Sequence, residues 1–245
     1  MSAEITLATA RRVLTQLRRD PRTVALLLVV PAVLLCLLRW LLTNQRANFD
    51  HIGAPVLAIF PFVLMVVVTS VATLRERTTG TLERLLTMPM HKLDLLLGYA
   101  LAFGVVAVAQ VGISVALAIG PLGLHIAGAG WLMFVIGVLD ALLGMALGLF
   151  LSAFARTEFQ AVQFMPAIVF PQLLLCGLLT PRASMDAALR AVSDVLPLTY
   201  AIDAMQRVTS STAVGHRIGI DLTVVCATMV AALVLGAVTL RRRTR

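Results

Sequence analysis

The sequence predicts an all-α, polytopic membrane protein, and three observations support this prediction. Of the 245 residues, 60% are hydrophobic and only 13% are charged, and the mean hydropathy is +0.96, well above the range of soluble proteins. A spanning helix needs roughly 20 mostly apolar residues, and the chain contains about six such windows. The apolar runs are continuous and do not alternate with polar residues. Since only helices and closed barrels satisfy their backbone in lipid, this pattern favours helices.

We treat the whole chain, residues 1–245, as a single transmembrane domain with six spans. The predicted spans are 23–42, 54–74, 96–120, 131–151, 161–179 and 219–240. Most of the 20 cations lie before span one, between spans two and three, and after spans four and six. Because positively charged loops stay in the cytoplasm, we predict that both termini are cytoplasmic. The charge of +8 therefore indicates topology and attraction to anionic lipid, and no basic face suggests nucleic-acid binding.

An amphipathic helix on the inner leaflet is predicted for the N-terminal segment, with a frayed tail as the alternative. Apolar residues recur there at helical spacing beside arginines: Leu7, Ala10, Leu14 and Leu17 beside Arg11, Arg18 and Arg19. The pair Asp20-Pro21 is typical of a helix N-cap followed by a first-turn proline. We therefore expect a retained first span and not a cleaved signal peptide.

The loop between spans two and three is unusually polar and reads RERTTGTLERLLTMP over residues 75–89. Thr79-Gly80 is a helix stop signal, Thr81 is a candidate N-cap, and Met88-Pro89 is a second stop. These signals predict a short helix over 81–88, with three leucines on one face: Leu82, Leu85 and Leu86. A helix this short is marginal in water, so its apolar face must dock on lipid, on the spans or on another subunit.

This loop resembles the hallmark loop of the permease subunits of type-2 ATP-binding-cassette exporters, which include drug, polyketide and polysaccharide transporters. The residues that carry the resemblance are Glu76, Gly80, Thr81, Leu82, Glu83, Leu85 and Leu86, followed by Thr87-Met88-Pro89. Three further stretches look like the family in the same order: LRRDPRTVALLLVVP, RTEFQAVQFMPAIVFPQLLLCGLLTP and MDAALRAVSDVLPLTYAIDAMQRV. The resemblance implies that helix 81–88 is a coupling helix inserted into a groove on a separate ATPase, with Glu76, Arg77, Glu83 and Arg84 around its leucine face.

The resemblance also implies an assembly of two permease subunits, identical or homologous, with two ATPase subunits around one pathway. ATP would then be bound by the partner subunit, and this chain would not be an enzyme. The sequence agrees, since it lacks the phosphate-binding loop G-x-x-x-x-G-K-[ST]; its single lysine, Lys92, follows His91. Histidines are scattered singly and cysteines lack metal-ligand spacing, so no cofactor or metal site is predicted.

After span five, an apolar stripe beside charged residues predicts an interfacial helix: Met185, Ala188, Leu189, Val192 and Leu196 beside Asp186, Arg190 and Asp194. The resemblance implies that this extracellular segment is a re-entrant helical pair that closes the exit side, punctuated by Pro181 and Pro197. The family often has a proline directly after the methionine, where this chain has Asp186.

Within the spans, Asp140 is the clearest anomaly, because it falls near the bilayer midplane, where a carboxylate costs about 2.5 to 3.5 kcal/mol to insert. Gln110 lies at a comparable depth. Two interpretations stay open: a structural Asp140–Gln110 hydrogen bond between spans, or a polar point lining the pathway. Gln163, together with Gln160 and Gln172, is a weaker signal of the same kind. The pair Gly144 and Gly148 predicts close helix approach within one subunit.

The sequence as a whole favours a permease that exports a hydrophobic or amphipathic compound, such as a drug, antibiotic or lipid-like molecule, because charge within the spans is low. Nineteen arginines against one lysine suggest a GC-rich bacterial genome and hence the bacterial cell membrane. A self-sufficient ion-coupled carrier or channel is the alternative, compatible with six spans and Asp140. A carrier would show internal repeats, and GTLERLL has no counterpart after span five. A membrane scaffold without transport is the third reading.

Overall fold

The computed structural model describes residues 2–79, 92–155, 157–211 and 215–239. Within these ranges the chain is helical and has no strand, which confirms the all-α prediction. Nine α-helices lie in the described ranges: α1 Ala3–Arg19, α2 Pro21–Leu41, α3 Arg46–Thr78, α4 Lys92–Ile119, α5 Gly130–Leu151, α6 Glu158–Leu175, α7 Ala187–Val195, α8 Pro197–Ser210 and α9 His216–Thr239. A short 3-10 helix, Arg182–Ser184, lies between α6 and α7.

Five helices in the described part of the chain are long and apolar enough to cross a membrane: α2, α3, α4 from Leu93, α5 and α9. They correspond to five of the six predicted spans. The helix α3 is longer than its predicted span, since it has 33 residues. At 1.5 Å per residue it is about 50 Å long, against roughly 30 Å for the hydrocarbon core of a bilayer. In a bilayer of this thickness, part of α3 would therefore extend beyond the hydrocarbon if the helix spans it.

The remaining predicted span, 161–179, corresponds to α6, which is not among these five helices. This helix has 18 residues, and its three glutamines and two prolines lower its hydropathy. It ends at Leu175, before the predicted boundary, because Gly177 adopts a φ of +91°. Glycine reaches this left-handed conformation without strain and commonly terminates helices in this way. The count of six spans stays a prediction.

The helix α5 packs against α3, α4, α8 and α9, and its glycines allow α3 to come especially close. A Cβ atom added at Gly144 would overlap the backbone carbonyl oxygen of Phe62. At Gly148 it would overlap the Thr69 hydroxyl and the carbonyl oxygen of Val66. Small residues at such contacts allow helix backbones to pack closely in membranes. The predicted close approach within one subunit is therefore confirmed.

The boundary between α1 and α2 follows the predicted capping pattern. Asp20 accepts hydrogen bonds from the backbone nitrogen of Thr23 at 3.2 Å and from its hydroxyl at 2.6 Å, and Pro21 opens α2. A carboxylate that receives these bonds is stabilised in its charged form, so the pKa of Asp20 lies below its ordinary value. The Asp20-Pro21 pair thus begins a helix, as predicted.

The N-terminal segment forms the predicted helix, and most of the predicted stripe packs inward. Ala10 is buried, and Leu14 and Leu17 are partly buried against the core, whereas Leu7 is 66% exposed. The buried face lies against α4, where Gly98 leaves room for Thr9: a Cβ atom at Gly98 would lie 2.5 Å from the Thr9 Cβ atom. The first helix is therefore anchored on α4 and keeps Leu7 on its outer side.

The segment after α6 forms two helices, as predicted. Asp186 caps α7 by accepting a hydrogen bond from the backbone nitrogen of Ala188 at 2.9 Å, so aspartate provides a helix start at this position. Pro197 is the first residue of α8. This second helix is deeply packed, with Leu198, Ala201, Ile202 and Met205 fully buried, whereas α7 exposes Leu189, Val192 and Val195. The re-entrant position of the pair in a membrane stays a prediction.

Candidate functional site

Most of the predicted ATPase-coupling residues lie outside the described residues: Gly80, Thr81, Leu82, Glu83, Leu85 and Leu86. The helix predicted over 81–88 therefore stays a prediction. The structure describes the two ends to which this loop is attached. On one side α3 ends at Thr78, and the backbone nitrogen of Thr79 donates a hydrogen bond to the Arg75 carbonyl at 2.9 Å. On the other side α4 begins at Lys92.

Among the predicted ATPase-coupling residues, Glu76 is the one within the described ranges, and its side chain packs against neighbouring helices of the chain. Its carboxylate accepts hydrogen bonds from Arg12 of α1 at 3.0 Å and from the hydroxyl of Tyr99 of α4. The Glu76 side chain is only 12% exposed, and Tyr99 is buried. Glu76 therefore lies where α3 contacts α1 and α4. Because the leucine face of the predicted coupling helix is outside the described residues, the role of Glu76 in ATPase coupling stays a prediction.

The two arginines that flank Glu76 contact two other helices. Arg75 binds Glu158, the first residue of α6, through two hydrogen bonds of 2.8 and 3.2 Å. Arg77 donates a hydrogen bond of 2.6 Å to the carbonyl oxygen of Ser152, at the end of α5. Successive residues point about 100° apart around a helix, so three consecutive side chains reach three directions. The last turn of α3 is thereby connected to α1, α4, α5 and α6.

The charge of Glu158 is stabilised by this contact. The hydrogen bonds from Arg75, together with the opposite charge, hold the pKa of Glu158 below its ordinary value. The pair is nevertheless open to water, since the Arg75 side chain is 61% exposed and the Glu158 side chain 47%. Exposed ion pairs contribute modestly to stability because water screens them.

Asp140 and Gln110 are both fully buried, but the predicted hydrogen bond between them is not formed. Both carboxylate oxygens of Asp140 and both amide atoms of Gln110 lack a hydrogen-bond partner among the described residues. Gly137, one turn before Asp140, packs against Val111 of α4, which places this region near the α4–α5 contact. The two groups thus lie on helices that pack together, but they form no hydrogen bond with each other. The structural interpretation of Asp140 therefore has no hydrogen-bond partner to support it among the described residues. A role of Asp140 in a transport pathway stays a prediction.

Gln163 does not join Asp140 and Gln110. It lies on an exposed face of α6, whereas the other two are in the interior of the bundle. On α6 it is Gln172 that is buried, where its amide oxygen accepts a hydrogen bond of 3.3 Å from the backbone nitrogen of Leu198. The three predicted polar residues therefore occupy two separate environments.

A charged network that the sequence analysis did not predict lies at the other end of α6. Arg182 binds Asp194 of α7 and Asp203 of α8, the latter at 3.0 Å. Arg207 lies 3.8 Å from Asp203 and 3.6 Å from Asp221 of α9. Only the i,i+4 spacing of Asp203 and Arg207 was visible in the sequence. The network connects the segment after α6 to α8 and α9.

Comparison with known proteins gives one family match and several relatives. The family described as ABC-2 type transporter matches residues 4–209. The ABC transporter G family member 20 of Dictyostelium discoideum is 29% identical over 164 residues, which are 66% of this chain and 22% of that protein.

Two similar proteins come from Escherichia coli (strain K12). The inner membrane transport permease YhhJ is 30% identical over 148 residues, which are 60% of this chain and 39% of YhhJ. The probable multidrug ABC transporter permease YbhS is 27% identical over 165 residues, which are 66% of this chain and 44% of YbhS. The matched regions therefore span less than half the length of each of these relatives.

Proposed function

Because the chain belongs to the ABC-2 type transporter family, we propose that it is the membrane-spanning permease subunit of an ATP-driven exporter. A separate ATPase subunit supplies the energy. The observation that carries the proposal is the family match over residues 4–209, which includes the polar loop 75–89. The coupling helix predicted over 81–88 is the segment that binds the ATPase.

The proposed assembly contains two ATPase subunits and a second permease, identical or homologous, in a bacterial cell membrane. Six spans with both termini in the cytoplasm are proposed for each permease. The contact between Arg12 and Glu76 supports this topology, because it brings the N-terminal helix and the start of the coupling loop to the same end of the bundle. Both segments are rich in cations, as expected for the cytoplasmic side.

The proposed cargo is a hydrophobic or amphipathic compound, such as a drug, an antibiotic or a lipid-like molecule. Exposed apolar side chains dominate the outer faces of α2 and α6, including Leu26, Val33, Phe170 and Leu174. Such surfaces suit lipid, a second permease or an apolar cargo. One relative is described as a probable multidrug permease, which supports a cargo of this kind.

The test is reconstitution of the chain with an ATPase encoded beside it. We expect the two to copurify, the chain alone to hydrolyse no ATP, and ATP turnover by the complex to rise with a panel of apolar compounds. The alternative is an ion-coupled carrier, which the buried carboxylate of Asp140 would suit, since this group has no hydrogen-bond partner among the described residues. Cargo movement driven by an ion gradient through the chain alone would favour the carrier and contradict the exporter.

A further inference from the structure

We propose that Arg75 and Glu158 form a latch that holds α6 against α3 at the coupling-loop end and opens during each transport cycle. The inference rests on the proposed function, because it concerns how a movement of the coupling loop reaches the spans. Four features of the described residues support it: the exposure of the pair, the small contact beneath it, the prolines of α6, and the firm attachment of α3 to other helices.

The latch is an ion pair that water can reach. Arg75 and Glu158 form two hydrogen bonds of 2.8 and 3.2 Å, so the closed geometry is well defined. Their side chains are 61% and 47% exposed, so both charges can be solvated when the pair separates. Separation of a buried pair would leave each charge desolvated and without its partner, whereas an exposed charge is solvated by water when the pair separates. The pair can therefore open at little cost.

The apolar contact beneath the latch is small and separate from the main core of the bundle. It consists of Leu74, Ala155 and Ala161, with Phe164 packed against them. Along α6 as a whole, only three residues are buried: Ala161, Val169 and Gln172. Within residues 158–165 only Ala161 is buried, while Phe164 and Met165 are partly buried, the latter against the main core. The beginning of α6 is thus held by little full burial besides the latch, and elements with few buried apolar contacts open most readily.

The prolines of α6 provide a point at which its beginning can bend. Pro166 and Pro171 lie inside the helix and have no backbone N–H, so each removes a hydrogen bond to the carbonyl four residues earlier. Sharp kinks in helices occur at such positions. Residues 158–165 therefore form an arm that carries Glu158 at one end and is attached through Pro166 at the other.

The last turn of α3, in contrast, is firmly attached. Glu76 binds Arg12 and Tyr99 with little exposure, and Arg77 binds the Ser152 carbonyl at 2.6 Å. The coupling loop leaves α3 directly after this turn. A displacement of the loop would move the last turn of α3 together with α1, α4 and α5. Whether residues 158–165 of α6 move with them depends on whether the Arg75–Glu158 latch is closed.

Charge reversal tests the latch in the complete complex with its ATPase. Arg75→Glu and Glu158→Arg each place like charges opposite one another, and we expect cargo moved per ATP hydrolysed to fall about two- to fivefold, the range of an exposed ion pair. The double variant restores the attraction with its sign exchanged and should recover wild-type coupling. Arg18→Glu is the matched control, because Arg18 is an exposed arginine of α1 that forms no ion pair among the described residues.

A cleavable crosslink tests whether the latch must open. Cysteines replace Arg75 and Glu158 in a background without Cys36, Cys176 and Cys226, and a short bis-methanethiosulfonate linker joins them. We expect transport to stop while the linker is present and to return when a reductant cleaves it. Full transport by the crosslinked complex would overturn the inference, as would single charge reversals that behave like Arg18→Glu or a double variant no better than the singles.

Recruitment of the ATPase separates this inference from the proposed function. Pull-down should be unchanged in every latch variant, because the latch is not part of the joint with the ATPase. If the wild-type chain recruits no ATPase, the proposed function fails and the latch fails with it. If recruitment is normal and the latch variants couple like wild type, only the inference about the latch is wrong.

Discussion

Replacing Glu76 with alanine should destabilise the protein far more than replacing Glu158, although both glutamates are partners of arginines. Glu76 accepts hydrogen bonds from Arg12 and Tyr99 and is 12% exposed, whereas Glu158 is 47% exposed. Hydrogen bonds to charged groups contribute about 1.5 to 3 kcal/mol each when buried. Because Arg12 is itself 27% exposed, we discount the sum and expect a loss of about 2 to 4 kcal/mol for Glu76→Ala.

For a chain of this size, each kcal/mol corresponds to about 2 to 4 °C in the apparent melting temperature. Glu76→Ala should therefore lower it by roughly 5 to 15 °C, whereas Glu158→Ala should lower it by no more than about 4 °C, since an exposed pair contributes about 1 kcal/mol or less. Thermal stability in detergent, followed by fluorescence-detected gel filtration, measures both. Tyr99→Phe removes one of the two hydrogen bonds and should fall between them. Equal shifts for Glu76→Ala and Glu158→Ala would refute this account of the last turn of α3.

Three further predictions concern the spans and the latch. Asp140→Leu should leave the folded yield unchanged or raise it, because the carboxylate of Asp140 has no hydrogen-bond partner among the described residues. Asp140→Asn should keep transport unless the pathway needs a charge there; normal folding with loss of transport in the asparagine variant would place a charge in the pathway. Gly148→Val should destabilise by about 1 to 3 kcal/mol through overlap with Thr69, measured as a lower melting temperature, and a melting temperature equal to wild type would contradict the packing. Arg75 lowers the pKa of Glu158, so the carboxylate stays charged and the latch stays closed at any pH above the ordinary pKa of glutamate. The ion pair is lost only as the pH falls through the lowered pKa. The distance between spin labels on α3 and α6 should therefore be constant from about pH 8 to about pH 6, and a change in this distance would contradict the prediction.

Features that depend on neighbouring residues were predicted well from the sequence. The Asp20-Pro21 pair begins a helix in the structure because an N-cap needs only the residues that follow it. The five helices of the described residues that are long and apolar enough to span a membrane follow from local hydropathy, and the close approach at Gly144 and Gly148 follows from the absence of side chains there. The predicted end of span five was wrong by four residues, because the left-handed Gly177 terminates α6 within an apolar run.

Features that depend on distant residues were not predicted. Glu76 lies 64 residues from Arg12 in the sequence and 23 from Tyr99, so the pattern RERTTGTLERLL alone could not show that these two residues contact it. Depth in the membrane brought Asp140 and Gln110 to a comparable level but could not give the rotation of each helix about its axis. A hydrogen bond requires close approach and alignment of donor and acceptor, and the Asp140–Gln110 bond, one of the two interpretations, is not formed. The network of Arg182 was missed for the same reason.

The central claim is that the loop between α3 and α4 joins this permease to a separate ATPase, and one pull-down tests it most directly. The double variant Leu85→Ser/Leu86→Ser removes two apolar side chains from the predicted coupling helix. Full burial is worth about 1.5 to 3 kcal/mol for each, and we expect a loss on the order of 2 kcal/mol, since a joint that moves is only partly buried. The matched control is Leu189→Ser/Val192→Ser, which removes two half-exposed apolar side chains from α7.

Both double variants should insert in the membrane, because neither changes a helix that is long enough to span it. The measurement is the affinity of the tagged ATPase for membranes that carry each variant. The account predicts that the Leu85→Ser/Leu86→Ser chain binds the ATPase about thirtyfold more weakly than wild type while the α7 control binds normally. Wild-type affinity and wild-type transport in the Leu85→Ser/Leu86→Ser variant would contradict the claim that this loop couples the permease to an ATPase.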